Sequence, residues 1–491
     1  MMKRGIMKNI IKKHKQDIIF FTIIFIISLV MCSAFLQPHY PHDTYKIIKD
    51  GLAEHSFIRF LQDGRPFSAI ATTIVDMMNM PIEVYMIFSL IIALIFMSLS
   101  VVALYKILKI NIESESKTLC VMLLLISFVF IYNYLAIEFI YFLESFILAI
   151  GIYLSIIAAK FIIDNEKYKY IKAMLVLTIA VFCYQGSIAI FPMIIMTYYL
   201  LLDRSNLKES MKNIAFAALI YGISMLLTIV FCNILFYNTR IQVANSNLNL
   251  QGIANALYIL IVKSFNIIPP YVHIGIICIT ILAILANKEN RIKLVLSYIF
   301  IILGAICICL MPIFTASGLG IETRFCIAYG TTIGISLLFM LYSTRNKNKY
   351  IKFLIYIIIV AAFIMNFVAY LSITYQHLEV NKLDKQICQI ISSKVEEYEQ
   401  ETGIKVTKIA AILRNSEDVY YPGFWQVGDM TESALKSWAV KDTIMYYLGR
   451  DMEYAPTTYN QYKEWFENKE WNGFSEEQIV IEGDTVYFCG N

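Results

Sequence analysis

Ile171–Leu202, IKAMLVLTIAVFCYQGSIAIFPMIIMTYYLLL, decides how the rest of the chain is threaded through a bilayer. As one helix it crosses once. As two short helices, 171–185 and 187–202, turning at Tyr184-Gln185-Gly186-Ser187, it crosses twice, and every later segment changes side. A span takes about 20 mostly apolar residues. Windows of that kind recur near 18–36, 84–105, 118–137, 139–160, 213–236, 271–287, 294–312, 325–343 and 352–372, so the two-helix reading gives about eleven spans. The run at Ile18–Leu36 follows a basic start but lacks a small-residue cleavage site, and it reads as a span rather than a signal peptide.

Lysine and arginine choose between the readings, because cytoplasmic loops collect them. With eleven spans and the N-terminus inside, the cytoplasmic segments carry 23 Lys and Arg, and the opposite loops of the membrane part carry seven: Lys46, Lys49, Arg59, Arg65, Arg240, Lys263 and Arg324. The outer face then receives the long segments 37–83, 237–270 and 313–324 and the tail. Ser56–Met80, apolar but carrying Arg59, Asp63, Arg65 and Asp76, suggests helices lying along the interface. Ala254–Ile268, ahead of Pro269-Pro270, reads as a re-entrant segment.

Composition agrees. Of 491 residues 58% are apolar and 16% charged, and the mean hydropathy is +0.63, which excludes a soluble enzyme of ordinary make-up. The net charge of +4 leaves no basic footprint for nucleic acid. Residues 1–372 carry 30 basic and 17 acidic side chains, whereas 373–491 carry 11 and 20. The chain thus reads as an α-helical polytopic membrane protein, 1–372, with a C-terminal extracytoplasmic α+β domain, 373–491. That domain should hold a helix over His377–Glu401 stopped by Gly403, a strand at 407–412, helices near 431–448 and 458–468, and a hairpin around Gly483-Asp484. Cys388 and Cys489 are the only cysteines placed to form a disulfide; the other eight lie in apolar stretches. Usage rich in Lys, Ile and Asn suggests a bacterial plasma membrane.

No Walker loop, zinc-ligand spacing, GxSxG elbow or dinucleotide glycine motif is present, and the six histidines do not cluster at metal spacing. Ionisable residues where a bilayer makes them costly are the functional signal instead. Asp43, in Pro41-His42-Asp43-Thr44-Tyr45, is placed to take a proton from an incoming hydroxyl, or else caps a helix over 44–55. Glu54 and Asp63 are weaker alternatives. Glu138 and Glu144 open the fourth span, six residues apart, near opposite faces of an α-helix and so not an acid–base pair. Arg59, Arg65, Arg240 and Arg324 suit a phosphate at the membrane surface, or snorkel to lipid headgroups. Tyr184 and Gln185 offer donors to sugar hydroxyls. The four tryptophans all lie in the tail and suit sugar stacking or, more simply, core and interface anchoring.

In order and layout these features resemble the Gtr-type glucosyl transferase family (glucosyl transferase type II), polytopic membrane enzymes of GT-C type. The likeness rests on Asp43 after one span, Asp63-Gly64-Arg65, Glu138…Phe142-Leu143-Glu144-Ser145, Tyr184-Gln185-Gly186, and Arg324 after Pro312; the family more often has Asp at the Glu144 position. It implies a hexose, glucose-like, carried by a polyprenyl phosphate such as undecaprenyl phosphate and already flipped to the outer face. Asp43 would be the general base, and Arg324, with Arg65, Arg59 and Arg240, would hold the leaving phosphate. Glu138, Glu144, Tyr184, Gln185 and His42 would line the sugar or acceptor side. The acceptor would be an envelope glycan such as a teichoic acid, wall polysaccharide or O-antigen, with a donor synthase and a flippase as upstream partners. No cofactor is implied, and a divalent cation is left open. A lipid-linked glycan flippase or an envelope polysaccharide polymerase would share the layout, although the sequence shows no internal repeat of the kind transporters carry.

Overall fold

The computed structural model describes residues 15–110, 116–203, 206–236, 250–287, 290–310, 323–413, 420–455, 461–469, 471 and 473–490. α1 (Lys15–Met31) leads through a 3-10 turn at Ser33–Leu36 to three short helices, α2 (His42–Asp50), α3 (Leu52–Gln62) and α4 (Pro66–Met77). The helix expected over 44–55 is thus two. Gly51 breaks it at φ +88°, and Gly64 turns α3 into α4 at φ +75°, conformations that cost glycine little. Pro66 sits in the first turn of α4, where its missing N–H is no loss.

The bundle continues with α5 (Ile82–Lys109), α6 (Lys117–Ile131), α7 (Ser145–Ile163), α8 (Lys169–Cys183), α9 (Ile190–Thr197), α10 (Leu207–Phe236), α11 (Leu250–Phe265), α12 (Pro270–Leu285), α13 (Arg291–Leu310), α14 (Ile327–Thr344) and α15 (Lys349–Thr402). α7 packs between α5 and α8, and α14 against α6, α12 and α13. Each expected window overlaps a helix among the described residues. Among the described residues seven helices are long and apolar enough to cross a membrane, or nine if each of two bent pairs is one span, against the eleven expected. Leu226, Ile234, Leu282, Ile292 and Phe353 lie exposed on their outward faces, as side chains facing lipid would.

Three breaks position the site. Ile171–Leu202 is two helices: α8 ends at Cys183, Tyr184 adopts extended backbone (φ −166°, ψ 128°), and a 3-10 turn at Gln185–Ala189 opens the next helical stretch. α11 and α12 meet at 89° before Pro270, a broken span or re-entrant loop. The third departs from expectation: α6 stops at Ile131 and bends by 65° into a 3-10 turn, Tyr134–Ile140, so α7 starts at Ser145 rather than 139. Asn133 makes this break. Its side chain accepts from Leu135 N at 3.2 Å and donates to Phe130 O at 3.0 Å, satisfying backbone groups that the interrupted helix leaves open. α14 fits against it through Gly330, where an added Cβ would lie 1.9 Å from Asn133 Oδ1.

The helix that holds the last expected span continues past 372. α15 runs for 54 residues, about 80 Å at 1.5 Å per residue, and carries the chain from the bundle into the tail without a linker. Gly403, in the left-handed conformation, stops it as expected. Beyond it lie β1 (Lys408–Leu413), α16 (Val440–Leu448), β2 (Glu453–Tyr454), α17 (Gln461–Asn468), β3 (Ile479–Glu482) and β4 (Thr485–Gly490), with sheet order β2-β1-β4-β3. β1 is parallel to β2 and β4, and the β3–β4 hairpin turns at Gly483. Ile391 and Val395 of α15 pack on Ile409, Ile444, Val486 and Phe488.

The helix expected over 431–448 forms only from Val440. The buried Asp384 draws the preceding segment out of helix, accepting from Ser433 Oγ at 2.6 Å, Ala434 N at 2.8 Å and Tyr421 OH at 2.8 Å. Cys388 and Cys489 are both buried, in separate apolar clusters, and do not form the disulfide their positions allow. Of the tryptophans, Trp425 packs against the membrane core, and Trp471 donates to Phe466 O at 3.1 Å within the tail.

Candidate functional site

Asp43, Arg59, Arg65, Glu138, Glu144 and Arg324 gather at the end of the bundle that carries residues 37–83. Asp43 lies in the first turn of α2, but it is no cap: Pro41 holds that position and no side-chain cap bond forms. Its carboxylate instead accepts from Arg59 Nη1 at 3.0 Å. The N-terminal end of α2 favours a negative charge there.

A second pair lies deeper. Arg65 Nη1 and Glu144 Oε1 are 3.6 Å apart, with side chains only 16% and 8% exposed, and the guanidinium lies 4.7 Å from the centre of the Tyr184 ring. The break after α8 explains the placement. Gln185 Nε2 donates to Asp63 O at 2.7 Å and Gly64 O at 3.2 Å, fixing the turn that aims Arg65. The Gln185 amide nitrogen thus binds backbone.

Arg324 makes the third pair. Its backbone N–H and its Nη1 both donate to Glu138 Oε2, at 3.1 and 3.3 Å, and Nη1 lies 3.9 Å from Asp429 Oδ2 of the tail. The guanidinium also sits 5.2 Å from the Phe142 ring centre. Glu138 lies within the 3-10 turn and Glu144 at the N-cap of α7 rather than both on one α-helix, so the opposite-face argument does not apply; each serves a different arginine. Glu144 is in electrostatic reach of Asp43, Arg59 and Arg65, and Tyr184 of Arg65, Arg324 and Glu138, which joins the three pairs into one constellation.

The tail closes over it. Tyr141 OH donates to Asp429 O at 2.9 Å, His42 Nε2 lies 3.2 Å from Glu432 O, His377 Nδ1 lies 2.7 Å from Met430 O, and Asn266 donates to Gln426 O at 3.0 Å. Tyr40 and Tyr45 stack together and pack on Tyr446 of α16. Burial pushes Glu432 above the usual carboxylate range, and the neighbouring Asp429 pushes it further. Burial holds His39 down to about 4, so it stays neutral, stacked 4.1 Å from the Phe35 ring. Asp429, Glu432 and Tyr141 are the residues that sequence reasoning missed. Asp429 and Glu432 sit in a polar stretch where acids are ordinary, and the linear sequence carries no sign of what they meet. Arg240 lies outside the described residues, as does the Glu54 side chain.

Residues 32–341 match the family model described as Glucosyl transferase GtrII. That interval holds Asp43, Arg59, Arg65, Glu138, Glu144, Tyr184, Gln185 and Arg324, and it ends before α15 and the tail. No curated protein matches the chain.

Proposed function

The chain belongs to the glucosyl transferase GtrII family, and from that premise we propose that it moves a hexose from a polyprenyl-phosphate carrier to a cell-envelope glycan on the outer face of a bacterial plasma membrane. The observation that carries this reading is the convergence of three arginine–carboxylate pairs, one of them made by Asp43, under the tail. An arginine held by a carboxylate is pre-aimed, and its planar fork transfers readily to a phosphate that arrives on a lipid. Arg324 and Arg65 would take the donor phosphate, with Arg59 orienting the Asp43 carboxylate. Tyr184, Glu138, Glu144 and His42 would line the sugar side.

In the reaction the acceptor oxygen bonds to the anomeric carbon as the bond to the phosphate oxygen breaks. The acceptor proton passes to Asp43, and the polyprenyl phosphate departs on the arginines, where fixed charge helps most. One base and no covalent intermediate give inversion at the sugar carbon. The lysine and arginine bias supports an outer site and a cytoplasmic N-terminus, which suits a lipid-linked donor because nucleotide sugars are cytoplasmic. The tail supports acceptor docking: a cleft of about 490 Å³ on it is lined by Tyr420, Tyr421, Phe424, Gln426 and Trp471 among others.

Purified full-length protein given polyprenyl-phosphate glucose and an envelope glycan should release polyprenyl phosphate in step with glycan labelling. Movement of the intact lipid across vesicles with no release would mark a flippase and end this reading.

A further inference from the structure

We propose that His42, Asp429 and Glu432 form a binding site for one divalent cation, Mn²⁺ or Zn²⁺, which clamps the tail onto the segment that carries Asp43. One ligand atom from each of the three lies within 4.8 Å of the others, although the residues come from opposite ends of the chain. His42 is only 4% exposed, and its Nδ1 is a buried nitrogen with no hydrogen-bond partner among the described residues, which is costly unless something binds there. Imidazole with two carboxylates is a ligand set for Zn²⁺ or Mn²⁺ rather than for a soft metal.

Donor atoms about 2.1 Å from one ion at tetrahedral angles stand about 3.4 Å apart, so closure needs side-chain shifts of up to about 1 Å. The surroundings orient the ligands. Tyr420 OH donates to Glu432 Oε1 at 3.1 Å, and Tyr141 OH fixes the Asp429 backbone. The cations facing the two carboxylates are Arg324, near Asp429, and Lys263, in reach of Glu432.

The consequence reaches beyond glycosyl transfer as proposed above. A bound cation would tie the Gly428–Met430 turn to the start of α2, next to Asp43, and through Asp429 it would fix Arg324. Loading and unloading would then set how firmly the tail covers the crevice.

The test is metal uptake, which needs no sugar and so stands or falls apart from the transferase reading. Full-length protein in detergent, stripped with a chelator, is dialysed against Mn²⁺ or Zn²⁺ and its metal content measured, with paramagnetic resonance on the Mn²⁺ form. The expected result is one ion per chain, nitrogen hyperfine coupling from a single imidazole, and a raised melting temperature. Glu432→Gln and His42→Gln should each weaken uptake by about tenfold or more. Uptake of neither ion, bound Mn²⁺ without nitrogen coupling, or undiminished uptake in folded variants would each overturn the site. If the variants fail to fold, the coupling in the unaltered protein decides.

Discussion

Asp43→Asn is expected to lower glycosyl transfer by about 10²–10⁴-fold, the usual contribution of a positioned general base. Membrane expression and melting temperature should hardly change. The Arg59–Asp43 pair is about one-third exposed on the Asp43 side and two-fifths on the Arg59 side, and a pair so open to solvent contributes roughly 0–1 kcal/mol to folding. Its side chain also caps no helix, so the amide removes no backbone bond. The initial rate of polyprenyl phosphate release in the presence of acceptor is the measurement. Full activity in the folded variant would remove Asp43 as base.

Arg324 has the second large expected effect, and it needs a paired design. Arg324→Gln should cost about 10²–10³-fold in rate, as losing one fixed donor to developing charge does. It would also take the guanidinium away from Glu138, whose side chain is 1% exposed and which keeps the Arg324 N–H bond, and breaking a buried pair costs about 3–5 kcal/mol. Low activity in the single variant would therefore be ambiguous. Arg324→Gln combined with Glu138→Gln removes both charges and should recover most of the melting temperature while staying inactive. Recovery of activity as well would make Arg324 a structural partner of Glu138 and nothing more.

Much of this architecture can be read from hydropathy, because helices crossing a bilayer must satisfy their own backbone and announce themselves as apolar runs. The uninterrupted α15 was also readable in principle: Lys349–Thr402 contains neither glycine nor proline, and only the change from apolar to polar residues near 372 suggests a boundary. The break at Asn133 gives far less away. The segment around it looks like one continuing apolar helix, and what ends α6 is a side chain bonding locally to backbone on both sides, with Gly330 of α14 leaving room for it.

The site divides in the same way. Asp43, Arg65, Glu138, Glu144 and Arg324 stand out because charge in an apolar setting is costly and so calls for a reason. Their pairing does not: that Glu138 would meet Arg324 and Glu144 meet Arg65 depends on the 3-10 turn and on Gln185. The contribution of Asp429 and Glu432 depends on how the tail folds back, which no local pattern encodes.

The most direct measurement is a structure of the full-length protein with a polyprenyl phosphate bound. The account expects the phosphate against Arg324 and Arg65, the lipid chain leaving toward the bilayer, and Asp43 facing the side from which an acceptor hydroxyl could come within about 2.6–3.2 Å of it. A phosphate held among the lysines at the opposite end of the bundle, or one whose sugar lies beyond the reach of Asp43, would contradict it.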